Sequence, residues 1–384
     1  MKFARSEQST LGIEWELQLI DQDSNDLRQA AAYILAALHD SPFIHGEMLL
    51  NTVEVVSGVH TTVAACIADL QSGVAQLREK TEPLRIDVAS AGAHPFANPA
   101  YQRVTNKERY ATLVDRTQYW GRQMLLFGTH VHVGIDRREK VLPVLKAVLT
   151  RAYHIQALSS SSPFWAGEDT HYASNRAMVF QQLPTAGIPR QFDTWEQLER
   201  FTSDMMSTGT ITDFNEVRWD VRPSPGWGTL ELRVADANTN IEELAAIAAL
   251  IHCLVDYFSS RFDAGDELPS MPDWFVAENK WRAARYGMDA VLITDERGTE
   301  EPVADTLRAM VKQLEPYAAA LGCSAELSGI ERICQSGAAY QRFRETARLN
   351  GGSRDAVVEH MRAEMRAERP LRPTFFGQDS AGPR

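Results

Sequence analysis

Three stretches of this chain set two charged or metal-capable side chains at positions i and i+2 inside alternating apolar runs. LGIEWELQLI (11–20) carries Glu14 and Glu16, FGTHVHVGI (127–135) carries His130 and His132, and TLELRVA (229–235) carries Glu231 and Arg233. A period of two is the signature of a strand, whose successive side chains point to opposite faces. Each pair therefore shares one face, while Trp15, Val131 and Leu232 between them turn to the other, where helices would cover them. Such strands belong in a sheet with one packed and one open side, the arrangement antiparallel sheets commonly adopt.

The rest of the chain supplies more strands and the covering helices. Residues 27–40 read as a helix capped by Asp26. Residues 61–80 read as a second, because Val63, Ile67, Leu70, Val74 and Leu77 recur at spacings of three and four. Residues 138–159 form another, and the chain is mainly helical from Ile241. Strand character marks 48–57, 85–92, 124–135, 216–222 and 229–235, the last two flanking the turn SPGWG, with one short apolar run at 290–294. The segment 160–190, rich in Ser, Pro and Gly, reads as an extended loop. About six strands in the first two thirds, with helices between and after them, predict an α+β fold built on an antiparallel sheet. The tail from Arg369 reads as poorly ordered.

Composition narrows the function. A formal charge of −12 without a long basic run argues against a nucleic-acid partner. The most apolar stretch, Leu244 to Phe258, is interrupted by His252 and Asp256 and falls short of the roughly 20 residues of a membrane span, so it predicts a core helix. Cys66, Cys253, Cys323 and Cys334 form no C-x-x-C pair and no zinc-type cluster, which points to a reduced, cytoplasmic protein.

An ordinary solvated strand face would explain any one of the charged pairs. Three strands repeat the spacing, however, and a fourth region adds Glu47 and Glu54; a solvent face normally mixes Lys, Thr, Ser and Gln with acids, whereas these positions hold metal ligands and an Arg. Carboxylates in that number repel one another unless cations lie between them, and hard oxygen donors suit magnesium or manganese better than zinc. Gly128 and Gly134 bracket the histidines and would let a ligand approach the strand. Arg222, Arg233 and Arg176 have the planar fork that grips phosphate oxygens, although each alone also reads as a surface or loop arginine. Neither a Walker-type phosphate loop nor a G-x-G-x-x-G turn occurs, so any nucleotide would be held by metals and arginines. The serine run Ser159–Ser162 lacks the G-x-S-x-G elbow of a nucleophile. His94, ahead of Pro95, fits a functional loop and a structural one equally well.

LGIEWEL at 11–17, AGAHPF at 91–96, NKERY at 106–110, FGTHVHVGI at 127–135, LSSSSPFWAGEDTHYASNR at 158–176, WDVRPSPGWGTLELRVADA at 219–237 and RYGMDAVLIT at 285–294 together resemble the carboxylate-amine ligases of the type 2 glutamate–cysteine ligase family, relatives of glutamine synthetase. The resemblance implies one catalytic domain over residues 1–368, with a six-stranded antiparallel sheet curved into a funnel and helices outside. It implies divalent-metal ligands at Glu14, Glu16, Glu47, Glu54, His130 and Glu231, where the family pattern has Asp at the position of Glu47. Arg233 and Arg222 would contact phosphates and assist catalysis, and Arg176 and His132 would help hold ATP, with Mg2+ or Mn2+ as the metal. It further implies a homodimer acting on small molecules, formally glutamate and cysteine. By their length and composition alone, the loops at 94–106 and 160–190 are candidates for a lid over the activated carboxylate. A ligase for other amino acids or amines, or a relative that binds nucleotide without catalysis, would share these ligands.

Overall fold

The structure, a computed structural model, describes residues 1–376. Its centre is the first alternating run, which forms strand β1 (Leu11–Asp21). Leu11, Ile13, Trp15, Leu17 and Leu19 are all at most 1% exposed, and burying a side chain of this kind contributes about 1.5–3 kcal/mol. That apolar face turns toward the helices, as do Val131 and Leu232, while Glu14 and Glu16 turn the other way.

Seven strands form one antiparallel sheet: β1, β2 (Ile44–Gly46), β3 (Thr52–Val56), β4 (Ile86–Ala89), β5 (Gly128–Gly134), β6 (Val221–Ser224) and β7 (Thr229–Asp236). The order is β6-β7-β5-β1-β3-β2, with β4 also paired to β1. Gln18 pairs with both Thr52 of β3 and Ala89 of β4, so β4 lies on the β5 side of β1, beyond the end of β5. The path is open, ending at the four-residue β6 and the three-residue β2. All six expected strands are present: β3, β4 and β5 lie within narrower bounds, β1 and β7 each run one residue further, and β6 is displaced to 221–224. The seventh, β2, is too short to show a period.

The helices are α1 (Ala31–Ala37), α2 (Val63–Thr81), α3 (Glu108–Thr117), α4 (Arg138–Ser159), α5 (Asn175–Phe180), α6 (Ile241–Asp263), α7 (Ala339–Leu349) and α8 (Arg354–Ala367), with others among them. Helices α2, α4 and α6 pack on the apolar side of the sheet. The two residues that interrupt the apolar stretch of α6 anchor the N-terminal segment, His252 Nε2 lying 2.7 Å from the Ser9 carbonyl and Asp256 accepting from Gln8 at 3.2 Å.

Several local readings change. The helix expected over 27–40 shrinks to α1 because Leu27 bridges to Ile20 and the Arg28 N–H donates to the Leu19 carbonyl, which keeps this stretch extended. Asp26 consequently caps no helix, and its carboxylate accepts from the N–H of Leu27. The run 216–222 divides into a two-residue strand at Arg218–Trp219, paired with Ala186–Gly187, and β6. The segment 160–190 is not an unstructured loop. It contains a hairpin, Phe164–Trp165 with Glu168–Asp169, and then α5. That hairpin is stapled to the C-terminal helices through Arg344 on Asp169 (2.9 Å) and Arg354, which lies 4.0 Å over the Phe164 ring. Residues 369–376 form neither helix nor strand. They are nevertheless tied down, the Leu371 N–H donating to Glu364 and the Phe376 N–H to Asn350. The remainder of the expected tail, 377–384, lies outside the described residues. Among the described residues no helix is long and apolar enough to cross a membrane.

Candidate active site

The sheet register gathers the charged residues on the open face. Glu14 of β1 pairs with His130 of β5, Glu16 with Glu54 of β3, His132 with Glu231 of β7, and Glu231 with Arg222 of β6. All ten residues expected at the site, from Arg222 at one edge to Glu47 after β2, thus share one floor. His132 faces Gly12 across the strands, and with no side chain there it reaches diagonally to Glu14.

One half of the floor is internally balanced. Glu231 is fully buried, accepting from Arg222 Nε at 2.8 Å and pairing with the Arg233 guanidinium. Burial opposes its ionisation, but Arg233, His132 and Arg222 outweigh it and hold its pKa down at about 2. Glu14 is likewise penalised by burial. Hydrogen bonds with His130 Nδ1 (2.9 Å) and His132 Nε2 (3.1 Å) nonetheless keep it ionised well below the usual range. His130 is pushed down to about 4 by burial and by Arg233, so it is the neutral imidazole of the pair. For His132 the burial penalty is overcome by Glu231 and Glu14, which raise its pKa.

The other half is not balanced. Glu16, Glu47 and Glu54 have no ion-pair partner among the described residues. Burial, and then Glu47, raise Glu16 to about 8. Burial and Glu14 raise Glu54 and Glu47 as well, Glu47 despite accepting the Met48 N–H. Ligand atoms of Glu16, Glu47 and Glu54 lie within 4.8 Å of one another, as do those of Glu14, Glu54 and His130 and those of Glu14, His132 and Glu231. Three overlapping groups, mostly carboxylate, fit hard divalent cations such as magnesium. Carboxyls whose pKa is raised by burial and by one another are what such a site shows when the chain itself supplies no cation.

Backbone irregularities aim the arginines. Between Leu232 and Ala235 the register of β7 against β5 slips by one residue, a bulge. At that bulge the Arg233 N–H donates to Asp220 and its carbonyl accepts from Arg176 Nη1 at 3.1 Å. Gly128 makes room for Arg176, since a Cβ there would lie 2.3 Å from its Nη2. The expectation that Gly128 and Gly134 admit a ligand changes accordingly. At Gly134 a Cβ would meet the chain's own Thr10 and the Glu7 carbonyl, so that glycine serves packing of the N-terminal segment. His94 is a structural residue. It is buried, with Nε2 3.0 Å from the Asn25 carbonyl and Nδ1 accepting the Ala97 N–H at 3.0 Å.

Three site residues escaped the sequence reading. Arg109 of α3 lies 4.5 Å over the Tyr110 ring and, with Tyr110, faces Glu47. Burial and then Glu47 push the Tyr110 hydroxyl up to about 12. Arg218 is pulled down to about 10 by burial and by Arg233, with Arg222 and Arg109 adding to the effect. The NKERY block held the signal for the first two, whereas Arg218 sits in a run whose alternation breaks.

The family profile described as glutamate-cysteine ligase family 2 (GCS2) matches residues 10–360. "Putative glutamate--cysteine ligase 2-1" of Arthrobacter sp. (strain FB24) is 52% identical over 374 residues, covering 95% of this chain and 98% of that protein. "Putative glutamate--cysteine ligase 2" of Leifsonia xyli subsp. xyli is 50% identical over 371 residues, again 95% and 98%. The fold is also similar to the crystal structure of glutamate–cysteine ligase from Francisella tularensis in complex with AMP. The TM-score there is 0.68 at 12% identity, covering 97% of this chain and 91% of that one. A bifunctional glutathione synthetase from Pasteurella multocida gives 0.64 at 16% identity, with 94% of this chain and 52% of that one. Fold, floor and relatives together make this chain an enzyme of the ligase class. It belongs to glutamate–cysteine ligase family 2.

Proposed function

We propose that this chain activates a carboxylate with ATP and joins it to an amine, with glutamate and cysteine as the substrates named by its relatives. The carrying observation is the unbalanced trio Glu16, Glu47 and Glu54 set beside arginines on one floor. Acids that lack cations call for metal, and arginines next to them call for an anion that binds both. A nucleotide triphosphate is such an anion, and a structural relative was crystallised with AMP.

In this reading Glu14, Glu16, Glu47, Glu54, His130 and Glu231 hold Mg2+ or Mn2+, within a single catalytic unit over 1–368 whose sheet forms the wall of a funnel. When bound there, a divalent cation would supply the positive charge that offsets the charge of the phosphates. Arg233, Arg222 and Arg176 grip phosphoryl oxygens where charge builds in the transfer. His132 fixes Glu14 and Glu231 in place. A substrate carboxylate oxygen attacks the γ-phosphorus and ADP departs, leaving an acyl phosphate. The amine nitrogen then attacks the acyl carbon, phosphate leaves, and the amide forms with loss of a proton. Holding the partners in line supplies much of the rate. The unpaired thiols, among them Cys66 and Cys334, support a cytoplasmic setting.

Hydroxylamine tests this directly, because it captures an acyl phosphate as a hydroxamate. ADP and hydroxamate should appear together with at least one amino-acid carboxylate. ATP binding without hydroxamate from any acid in a broad panel would show a nucleotide-binding protein without this chemistry.

A further inference from the structure

The serine run that is no nucleophile has another use. Asp236, the last residue of β7, is fully buried, and its carboxylate gathers both ends of the segment 161–176. One oxygen accepts the Ser161 N–H at 3.0 Å and the Ser162 hydroxyl at 2.7 Å, and the other accepts the Ser174 hydroxyl at 2.7 Å. The hydroxyls it holds pass the constraint onward. Ser162 Oγ accepts the Arg176 N–H at 3.1 Å, and Ser174 Oγ caps α5 by accepting the Ala177 N–H at 3.1 Å. The Ser162 carbonyl takes both the backbone and side-chain N–H of Asn175, at 3.0 and 2.8 Å. Arg176, the next residue, enters the floor where Gly128 leaves space, its Nη2 lying 3.4 Å from His130 Nε2.

Room for this clasp is built in. A Cβ on Gly92 would lie 2.5 Å from the Asp236 carboxylate, and the Gly92 N–H is taken by Ser161 Oγ at 2.8 Å. Helix α5 has only six residues, too few to hold its own orientation without tertiary support. The direction of Arg176 is therefore set by what fixes its first turn, which is Asp236 through Ser162 and Ser174.

We infer that Asp236 is a positioning residue: through Ser162 and Ser174 it holds Arg176 in the phosphate-gripping place, without itself touching the nucleotide. This rests on the proposed function only in taking the anion at Arg176 to be a nucleotide phosphate. An amide at 236 would present one acceptor oxygen and one donor group to three donors, so the clasp would loosen while side-chain volume stayed the same.

The test is a double-mutant cycle on the affinity for a non-hydrolysable Mg-ATP analogue, which carries the γ-phosphate, measured by calorimetry on the full chain. Arg176→Gln should weaken binding roughly tenfold, the usual scale for one charge-assisted hydrogen bond. Asp236→Asn should weaken it by a similar factor, yet add nothing further in the Arg176→Gln background. Ser174→Ala should show a smaller loss that Ser174→Thr restores, which keeps the cycle readable if Asp236→Asn folds poorly. Independent, multiplying effects of Asp236 or Ser174 and Arg176 would overturn the positioning role. Unchanged affinity for the ATP analogue in Arg176→Gln would instead refute the assignment of Arg176 to phosphate, and absence of analogue binding by the parent chain would refute the proposed function.

Discussion

Two clusters of charge in this molecule, one buried and one half-buried, are built in opposite ways. At the node between α6, α7 and α8, Arg342 donates to Glu243 at 2.8 Å and to both oxygens of Glu364 at 2.7 and 2.9 Å, and His360 Nε2 lies 3.0 Å from Glu364. Each carboxylate there meets a cation of the chain. Burial opposes ionisation of Glu364, yet Arg342 and His360 bring its pKa down to about 2. On the floor, Glu16, Glu47 and Glu54 meet none. A finished cluster contributes to holding helices in register, whereas an unfinished one leaves the chain dependent on an outside cation. The difference separates charge used for architecture from charge reserved for a ligand.

The sharpest way to break the contrast is to remove the cation from the finished node. Arg342→Met should cost about 3–5 kcal/mol of stability in urea unfolding, because two buried carboxylates lose their partner. A loss no larger than that of an ordinary surface substitution would mean the node is not architectural. Glu54→Gln should do the reverse. Turnover should fall by on the order of 10²-fold, while the metal-free protein unfolds at the same urea concentration or a slightly higher one, since a repelled carboxyl is gone. Stability falling in step with activity would place Glu54 in the architecture instead.

The two clusters should also respond to pH with opposite signs. Glu364, depressed from 4.5 to about 2, contributes stability that is present above about pH 4.5 and lost as pH falls toward 2. Glu16, raised from 4.5 to about 8, contributes stability that is full below about pH 4.5 and fades as pH climbs through 8. A divalent cation must displace that proton, so Mg2+ affinity by thermal shift should climb about tenfold per pH unit between about pH 6 and 8. A flat profile would show that the trio binds no metal. Smallest of all, Glu47→Asp should leave turnover within about threefold, because a carboxylate one methylene shorter can still serve a flexible site. A collapse comparable to that of Glu54→Gln would show that the longer arm is required.

The faces of this sheet were legible in the sequence, but its neighbours were not. The period of two in LGIEWELQLI sets Trp15 inward and Glu14 outward wherever the strand lies. That Glu14 sits opposite His130, and His132 opposite Glu231, depends on register, which no single strand encodes. Residues 27–30 carry helical pattern, yet pairing of Leu27 with Ile20 and of Arg28 with Leu19 keeps this stretch out of the helix, a tertiary override of local preference. Arg109 and Tyr110 lie on a short helix whose own composition says nothing about what it faces. The serine run read as loop because the Ser161 N–H and the Ser162 hydroxyl answer to Asp236, more than 70 residues away in the chain.

The open path of the sheet bears on how copies of this chain can meet. The two ends of its path, β6 and β2, are four and three residues long, and β6 contains Pro223, which has no N–H to offer an incoming strand; the one other free side among the described residues belongs to the buried, four-residue β4. Neither edge can template a long added strand, so this sheet is protected against the edge-to-edge growth that turns open sheets into aggregates. Any symmetric assembly of the enzyme would have to be made through its helices and loops, leaving the charged floor of each copy intact.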